Sequence, residues 1–372
     1  MLKTVFHFFI MGVTVLVAAN SSHAASFEFL YGQLRPTAET ALPSTVEPLA
    51  FVEDSDNQVA TVSFLDYIAG GGKDGGKDGD GKGKGCGDGC VGNWRDNTVV
   101  FLASDAWTNI GDTATAGNAF GQSRVQSNFG FRTGFNTGVG LGNLPFRAQV
   151  GASYGAYDFK GRGNFPGAID DTVEQQIFLT AGLYKRSDVC CGDRISWAIV
   201  YDHMYDDGWG TFANNNVNLG QVRGMFGYAW NECNEFGVWA TTRAHQDTAN
   251  VATPVATATI RAVDQVNAFW HHNYEFGGDT WLYLGTADSP SSWTLGLSAQ
   301  APLNDRAALF ANCNYYVPGS ATGSAGGTEE IWNVSLGVSW YLGGKASNGS
   351  VSGHKGLPLM PVANNGTFAV SN

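Results

Sequence analysis

Few spacings in the sequence could support chemistry. Gly151-Ala152-Ser153-Tyr154-Gly155 spells G-x-S-x-G, the pattern that exposes a nucleophilic Ser on a sharp strand-to-helix turn. Ser153, however, falls inside a run that alternates apolar and small residues from Phe146 to Ala156, which reads as a strand without an elbow. Gly76 to Lys82 approaches a phosphate-binding loop, but Gly83 stands where a Ser or Thr must hold the cation. Gly70-Gly71-Gly72-Lys73-Asp74-Gly75 fits G-x-G-x-x-G, and neither match has a strand or helix beside it. Asp74, Asp78 and Asp80 have calcium-loop spacing and no bidentate Glu. All three motifs read as solvated linker. His271 and His272 would point to opposite faces of a strand and cannot share a metal. The sequence therefore predicts no catalytic residues, no metal site and no cofactor: the chain is not read as an enzyme.

Cysteine offers more. The six Cys are Cys86, Cys90, Cys190, Cys191, Cys233 and Cys313. In an exported chain they invite disulfides. Cys86 and Cys90 sit in a Gly-rich block and could bridge locally, or supply half of a zinc site that lacks two ligands nearby. Cys190, Cys191 and Cys233 fall in two turns on one side, so Cys233 is expected to bond to Cys190 or Cys191. Cys313 reads as an apolar filler on a strand.

Export is expected from the N-terminus. Lys3 precedes an apolar run from Val5 to Ala19, and Ser22-His23-Ala24 offers small residues for cleavage. Residues 1–24 thus read as a signal peptide, too short in apolar length for a spanning helix. Beyond them no apolar stretch is long enough to cross as a helix.

Composition narrows the class. Gly accounts for 50 of 372 residues, aromatics for 13% and charged residues for only 15%, against a soluble norm of about 25% charged. The formal net charge is −12, which excludes the basic face of a nucleic-acid binder. Gly70 to Gly92 is nearly all Gly, Lys and Asp, so residues 25–97 read as a periplasmic low-complexity segment. From Thr98 to Leu342 the pattern has period two. Phe129, Phe131, Phe135, Val139 and Leu141 alternate with Gly130, Arg132, Gly134, Asn136 and Gly138. Trp332, Val334, Leu336, Val338, Trp340 and Leu342 alternate with Asn333, Ser335, Gly337 and Ser339. About twelve such runs, joined by links alternately short and long, predict an all-β fold: a transmembrane antiparallel up-and-down β-barrel over residues 98–342. Short links face the periplasm on this reading, and residues 343–372 form a periplasmic tail.

Three stretches carry a resemblance. They are Gly85-Cys86-Gly87-Asp88-Gly89-Cys90, the twelve-strand body, and Pro358-Leu359-Met360-Pro361-Val362-Ala363-Asn364-Asn365-Gly366-Thr367-Phe368. Together they resemble a family of outer-membrane β-barrel proteins of planctomycete-type bacteria with no established activity. The resemblance implies a location and a fold, and no functional residues. The run Ser335-x-Gly337-x-x-Trp340-x-Leu342 also resembles the signal read by barrel-insertion machinery, which is expected as a partner beside outer-membrane lipid.

With polar faces turned inward, Arg132, Arg147, Lys185, Arg223 and Arg243 outnumber Asp202 and Glu275. Arg132, Arg223, Arg243, Asp202 and His245 are the expected pore-lining residues at mid-height. Charged rings set ion selectivity. The expectation is a porin-like passive channel for small solutes with weak anion preference; the alternative is a non-conducting structural or surface-interaction barrel whose inner charges pair with each other.

Overall fold

The computed structural model describes residues 94–110, 125–159, 162–165, 168–170, 173–209, 215–252, 256–288, 292–317, 331–348 and 350–371. The expected signal peptide, the Gly-rich block and Cys86 and Cys90 lie outside them. A 3-10 turn, Trp94–Asn97, leads into β1 (Thr98–Ile110), β2 (Val125–Gly140) and β3 (Arg147–Tyr157). A small hairpin, β4 (Arg162–Phe165) with β5 (Ala168–Asp170), occupies the next link. Then follow β6 (Glu174–Lys185), β7 (Ile195–Trp209), β8 (Asn215–Ala229), β9 (Asn234–Ala252), β10 (Ala256–Ala262), β11 (Gln265–Asn273), β12 (Asp279–Ala287), β13 (Ser292–Pro302), β14 (Ala307–Val317), β15 (Ile331–Tyr341) and β16 (Val370–Ser371).

Twelve of these close an antiparallel barrel. Each of β1, β2, β3 and β6 to β9 pairs with the next, β11 pairs with β9, and β11 to β15 continue the ladder. The closing step pairs β15 with β1, from Val99 opposite Tyr341 to Thr108 opposite Trp332. No edge is left in that ring, so its backbone groups are satisfied strand to strand, as a lipid setting requires.

Alternation fixes which face looks out. Phe129, Phe131 and Leu336 are 59%, 51% and 60% exposed, while Arg132, Asn136 and Ser335 on the adjacent positions are buried. Trp230, Trp270, Trp293 and Trp340 join this apolar surface. Stable water-facing surfaces rarely carry contiguous apolar area of such extent. The outer face is built for lipid, and the protein is a transmembrane barrel. Thr98 to Trp107, apolar on both faces in sequence, is a barrel strand because its inward Phe101 and Trp107 are buried inside.

Two features depart from expectation. β9 runs 19 residues; its first half pairs with β11 and its second with β10. What reads in sequence as a long link from Gln246 to Ala262 is therefore an extended hairpin. Its last residues, Ile260 and Ala262, fold inward against Phe178, Met204, Val217 and Leu219.

The second departure is the C-terminal segment. Residues 343–372 read in sequence as a periplasmic tail; the described part, 343–348 and 350–371, enters the barrel. It first crosses the short-turn end: Ala346 N–H donates to Asp305 O, Asn348 N–H to Gly277 O, and Val351 N–H to Glu232 O. From Gly356 it climbs through the lumen. At the far end Val370 and Ser371 pair with Ala262 and Arg261 of β10. The physical reason is accounting. A wall of inward Asn, Gln, Thr and Arg side chains needs partners, and the segment's carbonyls supply them.

Candidate functional site

The lumen is the candidate site, and its chemistry is that of a seated plug. Asn136 Nδ2 and Gln149 Nε2 both donate to Met360 O, at 2.9 and 2.6 Å. Arg186 donates through Nε to Leu357 O at 2.9 Å and through Nη2 to Pro358 O at 2.5 Å. Arg223 Nη2 donates to Pro361 O at 2.7 Å. Higher up, Ala363 N–H donates to Thr180 Oγ1, and Gln221 Nε2 to Thr367 O. Pro358 and Pro361 bring carbonyls without N–H groups that would need acceptors of their own. Glycines make the room. A Cβ on Gly151 would stand 2.5 Å from Val362 Cγ2, and one on Gly138 would stand 2.1 Å from Gly356 O.

Apolar contacts seal both ends. Phe368 and Val370 complete the cluster of Ile260, Ala262, Phe178, Met204, Val217 and Leu219 at the long-link end. At the other, Leu357 and Ala346 pack with Ala308 and Tyr341. Lys355 pairs with Asp188 in the β6–β7 turn. Burial works against the Asp188 carboxylate, but Lys355 and the thiol and backbone N–H of Cys191 outweigh it and hold its pKa below the usual value.

The five expected pore-lining residues do not form one set. Arg132 and Arg223 point inward and are buried, but each is held by a carboxylate. Arg223 Nε lies 3.0 Å from Asp202 Oδ2, and Asp202 also accepts from Thr180 Oγ1 at 2.7 Å and Gln221 Nε2 at 3.1 Å. Arg132 Nε lies 3.7 Å from Asp105 Oδ2. Asp105 also accepts from Tyr157, Asn333 and Ser335. Arg243 is no partner of these two. It sits half-exposed at the long-link end, 3.3 Å from Asp264 and 4.0 Å from Asp288.

His245 is not in the lumen. A β-bulge between Gly220 and Gln221 sets His245 opposite Gly220 and Arg243 opposite Gln221. One extra residue turns every later side chain to the other face, so the exposed His245 sits on the outer surface. Lys185, counted inward from sequence, faces the turn and pairs with Asp193 at 2.6 Å. Sequence reasoning also missed inward carboxylates. Asp105, Glu174, Asp206 and Glu235 are buried beside the expected Asp202, against the buried Arg132 and Arg223. Glu174, Asp206 and Glu235 lie at strand ends where the apolar alternation has already lapsed, so they read as link residues.

Ser153 is inward, buried and mid-strand in β3, with no elbow. One Ser, Glu and His do meet: Ser196 Oγ donates to Glu235 Oε1, and His271 Nδ1 lies 3.0 Å from Glu235 Oε2. The carboxylate stands between hydroxyl and imidazole, the reverse of the order in which His would activate Ser. Cys190, Cys191 and Cys233 are exposed on neighbouring turns, Cys190 Sγ lying 3.6 Å from Glu232 Oε1. No bond joins Cys233 to Cys190 or Cys191. Cys313 is half-buried on β14.

The chain belongs to a family of unknown function, DUF6666, which matches residues 97–370 and so takes in both the barrel and the segment inside it. No curated protein matches it. Solved structures similar to it include an outer-membrane channel from Pseudomonas putida F1, with TM-score 0.42 and 10% identity over 65% of this chain and 94% of that one. The β-domain of a Bordetella autotransporter gives TM-score 0.38 and 12% identity, covering 66% and 99%. The translocator domain of an autotransporter from Neisseria meningitidis gives 0.37 and 12%, covering 65% and 87%.

Proposed function

We propose that this member of DUF6666 is an outer-membrane barrel whose lumen is closed, at rest, by its own C-terminal segment. It reaches that membrane as an exported chain, cleaved after Ala24, with residues 25–97 on the periplasmic side and the short turns facing the periplasm. It acts without catalysis. One observation carries the reading: lumen side chains spend their hydrogen bonds on the carbonyls of Leu357, Pro358, Met360 and Pro361. Passive flow of small solutes, expected from composition, then requires this segment to leave.

Charge in the emptied lumen also changes the expected preference. Weak anion preference rested on five basic and two acidic strand residues. Among the described residues, six inward carboxylates, the five buried ones and Asp279, against the four guanidinium groups of Arg132, Arg147, Arg186 and Arg223 favour cations instead. Influx of a small sugar into proteoliposomes tests the closed reading. The full chain should admit it no faster than protein-free vesicles, and a variant ending at Gly344 should admit it freely. Equal, rapid influx through both would overturn the proposal.

A further inference from the structure

The segment fills only part of the lumen. Between Gly356 and Thr367 its bonds run mainly to β2, β3 and β6 to β8, through Asn136, Gln149, Thr180, Tyr184, Gln221 and Arg223. Across from it, toward β9 and β11 to β14, a cavity of about 310 Å3 remains. Its wall there carries Trp239, His271, Trp281, Tyr283, Ser298 and Asn312.

These residues are arranged, not scattered. His271, Trp281, Ser298 and Asn312 stand opposite one another along a row of four strands. The His271 ring stacks on Trp281 with centroids 3.9 Å apart and planes 12° apart. Trp239 meets Tyr283 edge to face at 5.2 Å. Glu235 anchors His271 at Nδ1, 3.0 Å away. The ring's other nitrogen, Nε2, is buried without a hydrogen-bond partner, in a residue only 3% exposed. With Nδ1 engaged by the carboxylate, Nε2 is the ring nitrogen left for a hydrogen bond to a guest. Ser298 Oγ donates to Asn312 Oδ1 at 2.7 Å, which leaves the Asn312 amide nitrogen as a donor.

Charge around the cavity balances, with the guanidinium groups of Arg132, Arg186 and Arg223 against the carboxylates of Asp105, Asp202 and Asp279. Arg223 is bound to Asp202, Arg132 to Asp105, and Arg186 to segment carbonyls. Asn348 Nδ2 donates to Asp279. An ion of either sign would upset that balance. A neutral guest with a ring face for the indoles and hydroxyls for His271 and Asn312 would satisfy what is left.

We propose that this cavity binds a neutral, monosaccharide-sized polyol, which stacks on the Trp239–Tyr283–Trp281 wall and forms a hydroxyl hydrogen bond with His271 Nε2. The site rests on the closed reading, since Leu359 to Val362 form its opposite wall. Titration calorimetry on the folded full chain tests it, with D-glucose and D-galactose as probes and phenol as the apolar-ring comparison. At least one hexose should bind saturably with a Kd of about millimolar order. His271→Phe should weaken it at least tenfold, a change of about 1.4 kcal/mol. Asn312→Leu, which leaves the Glu235 network untouched, should weaken it as well, and both variants are checked for native heat-modifiable mobility. Absence of saturable hexose binding, binding of phenol alone, or unchanged affinity in folded Asn312→Leu would each overturn the site. A conducting full chain would overturn the closed barrel instead, so the two failures are distinguishable.

Discussion

At the scale of single residues, the buried ion pairs decide how firmly the inner wall holds. Asp202 receives Arg223, Thr180 and Gln221 with no access to water. Removing the guanidinium leaves a carboxylate buried without its counter-charge, so Arg223→Ala should destabilise the barrel by about 3–5 kcal/mol. Arg243→Ala, which breaks half-exposed contacts to Asp264 and Asp288, should cost roughly 0–1 kcal/mol. Urea unfolding in detergent, followed by gel mobility, compares the two; equal losses would contradict the burial difference. His354 gives a pH dependence. Burial lowers its pKa below the ordinary 6.5, with Lys345 and Arg186 adding to this and the hydrogen bond to Ser347 O opposing it. A lowered folded value means that the unfolded segment binds the proton more readily. The contribution to seating is thus complete above pH 6.5 and is lost as pH falls through the folded value. Protease should therefore clip the segment faster at about pH 5 than at neutral pH, and His354→Gln should flatten that dependence.

The elements were legible wherever an apolar face met a small one. Phe129 to Leu141 and Trp332 to Leu342 alternate without a break, because one face meets lipid and the other a crowded interior. Strand ends were harder: Glu174, Asp206 and Glu235 carry no alternation, and the bulge opposite Gly220 leaves no mark in residue type. The segment from Gly343 onward was not legible as a plug. It has no period, since it pairs with side chains from many strands and not with one neighbour, although Pro358 to Phe368 is one of the three stretches that carry the family resemblance. Wall and plug are also complementary in a way only the fold exposes: Gly138 and Gly151 look like plain lumen positions until Gly356 and Val362 are found against them. Ala363 N–H lies 3.0 Å from Thr180 Oγ1, so Thr180→Cys with Ala363→Cys should cross-link in native membranes. Peptide mapping without reductant should find that bond; two free thiols in folded protein would place the segment elsewhere.

For the whole molecule, a twelve-strand barrel carries the described part of its own C-terminal segment inside it, and the proposed function makes that segment the element that holds the lumen shut. Turns at the short-link end carry the segment's first part, the wall of β2 to β8 carries its middle, and the β9–β10 hairpin folds in to meet its last strand. Shape and charge then act together. The closed state pairs its carboxylates and guanidinium groups internally, and the emptied state would present an acid-rich lumen. Single-channel recording of the Thr180→Cys, Ala363→Cys variant in a planar bilayer tests this most directly. With the cross-link oxidised the current should stay at baseline, and in the variant ending at Gly344 steady steps should appear, larger for cations than for anions. Steady steps through the oxidised, cross-linked barrel would contradict the account.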